Sequence, residues 1–320
     1  QKTMQANNII KVSDISPRIY DERQLRALTG LSLNRFLILL DIFETVLLDE
    51  RQERYKNKTR KPGSGRKPKL KTISDKLLFI LCYLKCYQSF DVLGFTFSMD
   101  NSSALGATKK LFPVLMQSLN RLNVLPSTKI ETAEQLQLMF GNVENLLVDV
   151  TERPTNRPKD AVQQTEHHSG KKRRSCLKNT IISTLGLIVL YIGATFPGKN
   201  HDYGMFKKEF NKDLNLFERF NLMVDLGYKG IETDYKAKQI YIPYKKPKKS
   251  KSNPNPQLTD EQKQYNKKVG SKRVLVEHAI GGMKRYKCLS DKFRNRRESG
   301  IDFTMMLAAA GLWNLNLIFK

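Results

Sequence analysis

Two aspartates lie in apolar segments of the sequence, where a carboxylate without a charged or hydrogen-bonding partner would be unfavourable. Asp149 is the only charged residue in the apolar run LLVDVT, and Asp225 ends the apolar run FNLMV just before Leu226 and Gly227. A carboxylate buried alone is costly, so each is expected to have a cation or hydrogen-bond donors nearby. Mg²⁺ or Mn²⁺ is the simplest partner, because hard divalent ions prefer carboxylate oxygens. The alternative is that each aspartate only caps a helix or turn.

A third carboxylate lies on the predicted helix SKRVLVEHAIGGMKRYK, residues 271–287. Arg273 and Glu277 are four residues apart and Lys284 follows seven later, so all three are expected on one helix face. An ordinary surface ion pair would have the same spacing. Gly281 and Gly282 argue for more, since each glycine costs a helix interior about 1 kcal/mol. We expect them to allow the close approach of a bulky partner such as a DNA backbone.

The elements that position these acids form an α/β domain from about residue 140 onward. Short β-branched runs predict strands, and Gly186 separates two of them as a hairpin. Amphipathic segments between and after the strands predict helices. The order predicts a mixed sheet with packed helices. The predicted strands are 145–152, the two runs on either side of Gly186, 220–230 and 239–244, and the predicted helices are 201–213, 259–268, 271–287 and 302–318.

The residues before this domain are predicted to be helical. Helices are expected within 18–50 and over 73–87, and residues 62–65, PGSG, are typical of a linker. A short helical segment FDVLGF, a turn near Met99 and a helix opening with Asn and Ser follow. This order is that of a helix-turn-helix, in which Lys109 and Lys110 are candidate DNA contacts. A generic three-helix packing unit would have the same sequence pattern.

The charge of the chain predicts a polyanionic partner. The 320 residues carry a formal charge of +25, and the basic residues cluster at 51–71, 171–178, 236–251 and 283–297. Such clustering favours nucleic acid, although solvated surface charge is the alternative for any single cluster. The Lys-rich loop 245–257 is expected to become ordered on DNA. The candidate DNA-binding residues outside the helical region are Arg273, Lys284, Arg285, Lys245, Lys246, Lys171 and Lys172.

Composition excludes several classes of protein. A hydrophobic fraction of 40% and a mean hydropathy of −0.48 exclude a polytopic membrane protein and a mainly disordered one. The apolar stretches 181–196 and 303–319 fall short of the ~20 residues needed to span a bilayer. The first ten residues lack the apolar core of a signal peptide. Four scattered cysteines and four histidines show no disulfide scaffold or zinc spacing, which predicts a soluble intracellular protein.

Several phrases taken together resemble a known family. VDVTE, FPGKNHDYGMF, VDLGYKGI and RVLVEHAIGGMKRYKCLSDKFRN resemble the DDE transposases, in particular bacterial insertion-sequence enzymes related to PIF/Harbinger elements. The resemblance covers residues 140–320 well and 72–125 loosely. It implies an RNase H-like fold and a catalytic, metal-binding triad of Asp149, Asp225 and Glu277. Val150 departs from the pattern, since relatives commonly have Gly after the first Asp.

The resemblance also implies a reaction. Two Mg²⁺ or Mn²⁺ ions would support cleavage at terminal inverted repeats and strand transfer by in-line displacement. No Ser or Cys nucleophile is then needed. His201 and Asp202 belong to a His-Asp pair that recurs in the family; they are expected either near the metal ions or as the cap of a helix.

The predicted organisation has three parts: a helical, dimerising region over 1–60, a helix-turn-helix domain over 61–130 and the catalytic domain over 131–320. The expected partners are duplex DNA of transposon ends and targets and a second copy of the chain, with no membrane. The location would be cytoplasmic and nucleoid-associated in a bacterium, or nuclear in a eukaryote. The alternatives are a domesticated DNA-binding protein without catalysis and a nuclease of the same fold. The intact acids argue against the first, and the helix-turn-helix against the second.

Overall fold

The computed structural model of the chain describes residues 19–56, 67–249, 254–294 and 300–319. The chain forms two compact units. Unit 1 comprises Gln1–Val124, Tyr286–Cys288 and Ile318–Lys320, and unit 2 comprises Leu125–Arg285 and Leu289–Leu317. The linker predicted at residues 62–65 lies outside the described residues.

Unit 1 is helical, as predicted. A Thr72 capping box, in which the Thr72 hydroxyl accepts the Asp75 N–H and the Asp75 carboxylate accepts the Thr72 N–H, starts its most buried helix. Gly30, at φ 79°, ends the first helix in the left-handed region. The helices are α1 (Glu22–Thr29), α2 (Leu33–Tyr55), α3 (Ile73–Cys86), α4 (Phe90–Thr96) and α5 (Asn101–Arg121).

Helices α4 and α5 form the predicted helix-turn-helix. The turn between them is tight: a Cβ on Gly94 would lie 2.5 Å from the Met99 carbonyl oxygen, so a larger residue does not fit there. Asp100 caps α5 by accepting the Ser103 N–H at 2.8 Å. Lys109 and Lys110 are exposed on α5, the position of the recognition helix in such motifs.

Unit 2 contains the predicted mixed sheet. Its central strand pairs antiparallel with β3 on one side and parallel with β6 on the other, and β7 continues the parallel side. The main strand order is β2-β3-β1-β6-β7, with β4 and β5 also pairing with β3. The strands are β1 (Asn145–Pro154), β2 (His168–Ser169), β3 (Arg174–Ser183), β4 (Val189–Ile192), β5 (Phe196–Pro197), β6 (Phe217–Met223) and β7 (Ala237–Tyr241).

The helices of unit 2 differ from the prediction in two places. The predicted helices 259–268 and 271–287 are one continuous helix, Asp260–Met283, which a Thr259 capping box starts. The break predicted around Gly270 is absent from it, and a Cβ on Gly270 would have open space. The helix predicted over 201–213 ends early, at Glu209. The remaining helices of the chain are α6 (Ala133–Phe140), α7 (Ala161–His167), α8 (Asp202–Glu209), α9 (Ile231–Asp234), α10 (Asp260–Met283), α11 (Lys287–Ser290) and α12 (Ile301–Ile318).

Alternation along β1 and β3 gives the sheet two buried faces. Val148 and Ile182 belong to an apolar core that includes Phe206 of α8. Leu147 and Ile181 are also fully buried but lie outside that core cluster, and α10 packs against both strands. The sheet is therefore sandwiched between helices, as in other α/β layer folds.

The C-terminal helix α12 is long and apolar enough to cross a membrane by length and composition alone. It is instead tied into the core of unit 2. Asn314 accepts the Val189 N–H at 2.9 Å and donates to the Val189 carbonyl at 2.8 Å. The indole N–H of Trp313 donates to the Leu187 carbonyl at 2.9 Å. These contacts support the prediction of a packed C-terminal helix.

The two adjacent glycines of α10 have different surroundings. A Cβ on Gly282 would lie 2.5 Å from the Trp313 ring, whereas a Cβ on Gly281 would have open space. The expectation that this glycine pair admits a DNA backbone is therefore wrong for Gly282. Its missing side chain makes room for an indole of the same chain.

Candidate active site

The strand register brings Asp149 and Asp225 to neighbouring positions. The parallel pairing of β1 and β6 ends with Leu147 opposite Met223. Asp149 follows Leu147 by two residues on β1, and Asp225 follows Met223 by two, just past the end of β6. The two aspartates therefore come at the same distance beyond the last paired residues of strands that lie about 4.8 Å apart. This is the carboxyl edge of the parallel strands, where open α/β sheets place ligand sites.

Asp149 is largely withdrawn from water. Its Oδ1 accepts the Val150 N–H at 2.8 Å. Burial raises the pKa of Asp149 to about 6, and the negative charges of Asp225 and Glu277 act in the same direction, against the Val150 bond and the charge of Arg273. Ionisation of Asp149 is therefore unfavourable mainly because the carboxylate is buried, and a bound divalent cation would offset that cost.

Asp225 caps a short 3₁₀ turn, Leu226–Tyr228, that begins where β6 ends. Its Oδ1 accepts the Gly227 N–H at 2.8 Å. A Cβ on residue 227 would lie 2.8 Å from that same oxygen, so the cap requires glycine. Among the described residues, Oδ2 has no hydrogen-bond partner and is available as a ligand. Capping and metal binding, set out above as alternatives, are thus compatible at Asp225.

Glu277 lies on α10, the helix that packs against β1 and β3. Its Oε1 accepts from Nη2 of Arg273 at 2.9 Å, and its side chain is 56% exposed. Its charge acts on Asp149 and helps to raise the pKa of that carboxyl. In the described ranges, however, no three acidic, histidine or cysteine side chains lie close enough together to hold a metal ion, so the predicted triad is not assembled as one cluster. The two aspartates supply the hard oxygen donors that Mg²⁺ prefers.

Lys284 does not lie on the helix face that it was predicted to share with Arg273 and Glu277. Helix α10 ends at Met283, and the Lys284 ammonium turns back to donate to the Glu152 carbonyl at 2.9 Å. Burial lowers the pKa of Lys284, with the charges of Lys172, Arg174 and Arg153 adding to the effect. We therefore withdraw Lys284 as a candidate DNA contact.

His201 and Asp202 lie away from the aspartate pair. His201 is exposed and occupies the N-cap position of α8 without a side-chain capping bond. Asp202 accepts from the buried Lys178 ammonium at 2.9 Å. Lys178 pairs with Glu152, three residues beyond Asp149 on β1, so it lies on the opposite face of the sheet. The expectation that Asp202 is the helix cap is wrong, and its carboxylate instead neutralises Lys178.

Five of the other candidate DNA-binding side chains in unit 2 are exposed. Arg285 lies over the Trp313 ring at 5.9 Å. The Lys-rich loop is anchored at its start, where the Tyr244 N–H donates to Asn266 Oδ1 at 2.7 Å and Asn266 Nδ2 donates to the Tyr244 carbonyl at 3.0 Å. Residues 250–253 of this loop lie outside the described residues, and its ordering on DNA stays a prediction. Exposed side chains of this group are Lys171, Lys172, Lys245, Lys246 and Arg285.

A buried carboxylate that the sequence reading missed lies at the end of α8. Both oxygens of Glu209 are buried and form no hydrogen bond of good geometry, although the Thr180 hydroxyl and the Ala194 backbone are close enough to oppose the rise in its pKa. A Cβ on Gly193 would overlap these oxygens. Burial raises the pKa of Glu209 to about 7. The sequence did not indicate this buried carboxylate, because Gly193, against which it packs, belongs to a different segment of the chain.

We expect Glu209→Gln to stabilise the protein at alkaline pH. A carboxyl whose folded pKa lies above its unfolded value loses stability as pH rises from about 4.5 to about 7. Above that window the ionised group costs up to about 3 kcal/mol. Urea unfolding at pH 8 should therefore show a higher midpoint for Glu209→Gln, and the gain should shrink at pH 5. The exposed Glu218→Gln is the control, and an equal gain at both pH values would contradict the expectation.

Comparisons with known proteins identify the family of this chain. Residues 148–314 match the family of DDE superfamily endonucleases, and residues 68–121 match the helix-turn-helix of DDE superfamily endonucleases. The chain is 31% identical over 303 residues to the "Probable transposase for insertion sequence element IS702" of Microchaete diplosiphon, an alignment that covers 93% of this chain and 96% of that protein. No solved structure matches the chain significantly. Enzymes of this superfamily depend on divalent metal ions. The chain belongs to the DDE superfamily endonucleases and is a transposase-like member with a helix-turn-helix DNA-binding domain.

Proposed function

We propose that this protein is a DNA transposase. In this proposal it binds the terminal inverted repeats of its element, cuts DNA there and transfers the cut strand to a target. The observation that carries the proposal is that Asp149 and Asp225 each lie two residues beyond the last paired residue of two adjacent parallel strands. The relation to PIF/Harbinger elements, a second copy of the chain on the DNA and a nucleoid-associated place in a bacterial cytoplasm remain parts of the same proposal.

The proposed cation ligands are Asp149, Asp225 and Glu277. Two bound Mg²⁺ or Mn²⁺ ions would supply activation of a water or a DNA 3′-hydroxyl and stabilise the leaving oxygen. Asp225 offers Oδ2 while the Gly227 N–H holds Oδ1 and fixes the carboxylate in place. Asp149 offers a carboxylate whose charge is unfavourable until a cation compensates it.

Arg273 has a positioning role in this proposal. It is only 19% exposed and holds Glu277 through the 2.9 Å ion pair. A DNA phosphate near α10 would compete for the guanidinium, since arginine binds phosphate and carboxylate with the same donors. Glu277 would then be released toward the aspartates as DNA binds.

DNA contact is proposed for both units. In unit 1 the exposed Lys109 and Lys110 on α5 would meet the DNA, and in unit 2 the contacts would be Arg273, Arg285 and the exposed lysines Lys171, Lys172, Lys245 and Lys246. Phosphate contacts of this type fix position without reading sequence. Bases would be read by the first turn of α5.

The test is cleavage of the element's own terminal DNA by the purified protein. We expect strand cuts at the inverted repeat with Mg²⁺ or Mn²⁺ and none after chelation with EDTA. A scrambled end of equal length is the control for end recognition. Binding without cleavage under every metal would favour a domesticated DNA-binding protein, and cleavage of both DNAs alike would favour a simple nuclease.

A further inference from the structure

Unit 2 contains a basic cleft that the candidate active site does not use. The cavity has a volume of about 870 Å³ and is open to solvent, a size typical of ligand sites. Its lining includes five cationic side chains and, within the described part of the chain, no carboxylate. We call it the basic cleft and define it by its cations, Arg157, Arg173, Arg174, Lys199 and Lys292.

A short hairpin forms one wall of the cleft. Ser169 pairs with Arg174, and the turn between them closes with the Arg173 N–H donating to the Ser169 carbonyl at 2.7 Å. Arg173 has φ 50°, a left-handed conformation uncommon for a residue other than glycine. The buried Ser169 also accepts the Lys172 N–H through its hydroxyl at 3.2 Å. These bonds fix the backbone that presents the two arginines.

The other walls are fixed by backbone pairing. The Phe293 N–H donates to the Pro154 carbonyl at 3.0 Å, which places the neighbouring Lys292 beside the end of β1. The Lys199 N–H donates to the Glu166 carbonyl at 2.8 Å, so Lys199 lies beside α7. Together with Arg157, the basic side chains are therefore presented from four separate segments of the chain.

The charges of the cleft are not neutralised by the protein. Arg157 donates from Nε and Nη2 to Oε1 of Gln164, a neutral amide that orients the guanidinium and leaves its charge intact. Arg173, Arg174, Lys199 and Lys292 form no ion pair with any acid that the structure describes. Five uncompensated cations around one concavity would attract an anion with several negative charges.

The position of the cleft suggests which anion. Pro154 lines it and lies five residues beyond Asp149 on β1, which is about 17 Å along a strand. Nucleotides of one DNA strand advance about 3.4 Å along the helix axis. A duplex bound beside Asp149 would therefore reach the cleft within one helical turn, which is roughly 34 Å long.

We propose that the basic cleft binds backbone phosphates of the same DNA molecule that is cut at Asp149 and Asp225, as a second and sequence-independent contact. The identity of the polyanion rests on the proposed function. The cleft itself rests on its own residues. A free phosphate or a mononucleotide shares the same chemistry, and the test separates these sources.

The test measures the salt dependence of DNA binding without divalent metal. A labelled duplex of random sequence is titrated with the full-length protein over a range of salt concentrations. Each lost phosphate contact makes the slope of log K against log salt shallower by about 0.9, so we expect a loss of about 1.8 for the Arg173→Gln/Arg174→Gln variant. Lys212→Gln/Arg219→Gln removes the same charge from exposed positions outside the cleft and should leave the slope close to the parent's.

A second double substitution tests whether misfolding, and not the loss of charge, explains the result. Lys199→Gln/Lys292→Gln alters the opposite walls of the cleft and should reduce the slope by a similar amount, and melting temperatures verify the fold of each variant. Equal slopes for the cleft and control variants would overturn the proposal. The proposal would also be overturned if millimolar inorganic phosphate, added at constant ionic strength, abolished the difference in slope between the parent and the cleft variant.

The two proposals can fail separately. Because metal is absent, the binding result does not depend on cleavage. If the parent protein did not cut DNA, the proposed function would be refuted, but the salt-dependence result for the cleft would still stand. If the cleft variant had the parent's slope, the proposed role of the cleft would be refuted, but the proposed active site would not be affected.

Discussion

Replacing Asp225 by asparagine should reduce cleavage of the terminal DNA by at least about a hundredfold. Loss of a single group that stabilises charge in the transition state costs about 10²–10³ in rate, and a metal ligand is expected to cost no less. The change preserves shape, and the amide oxygen of the substituted side chain can still accept the Gly227 N–H. Single-turnover cleavage with Mg²⁺ is the measurement. Asp149→Asn should behave in the same way.

A matched control is available on the surface. Asp213→Asn removes one exposed carboxylate of unit 2 and should cut at the parent's rate. The melting temperature of metal-free Asp149→Asn should hold or rise, because the substitution removes a buried negative charge. Cleavage by Asp225→Asn at the parent's rate would remove Asp225 from the site.

The second large effect concerns salt. If six to ten phosphates are contacted, affinity for duplex DNA should fall by about 10³–10⁵ between 50 and 200 mM salt. The +25 charge and the exposed lysines of both units are the reason. Fluorescence anisotropy of a labelled duplex is the measurement. Affinity that stays flat across this range would contradict the expectation.

Binding should also separate from cleavage. Asp225→Asn should bind duplex DNA with at least the parent's affinity, since it removes a negative charge close to the phosphates. Its salt slope should equal the parent's slope. A variant that loses both binding and cleavage would indicate that the aspartate maintains the fold.

The positions of the two aspartates could be predicted because their signals are local. A lone carboxylate in an apolar strand and a glycine just after Asp225 both reflect the backbone within a few residues. The helix-turn-helix was predictable for the same reason, since Asp100 and Gly94 make the turn with their immediate neighbours.

Features that depend on distant partners could not be predicted. Gly282 packs beneath Trp313, thirty-one residues later in the sequence, and a sequence window cannot show that an indole rather than DNA requires the space. Lys284 was placed by helical periodicity, yet the helix ends one residue earlier and the side chain reaches the Glu152 carbonyl. In the hairpin between β3 and β4, which was predicted from Gly186, the left-handed backbone conformation is adopted by the next residue, Leu187.

Long-range ion pairs were missed for the same reason. The buried Arg153 lies 3.1 Å from Asp302, and Lys178 binds Asp202 across the core. Glu277 was expected beside the aspartates because the family pattern implies a triad. The local i,i+4 spacing, by contrast, did indicate the Arg273–Glu277 ion pair, and that pair forms.

Direct metal ligation by Asp225 is the central claim, and an Asp225→Cys substitution tests it most directly. A thiolate is a soft ligand that binds Mg²⁺ poorly and softer divalent ions better. The measurement is single-turnover cleavage of the terminal DNA in Mg²⁺ and in Mn²⁺, with Asp225→Asn as the variant that offers no thiolate. We expect the parent to cut with both ions, and Asp225→Cys to cut at least about a hundredfold faster with Mn²⁺ than with Mg²⁺. An Asp225→Cys variant that cuts with the parent's ratio of Mn²⁺ to Mg²⁺ rates would contradict ligation by this residue.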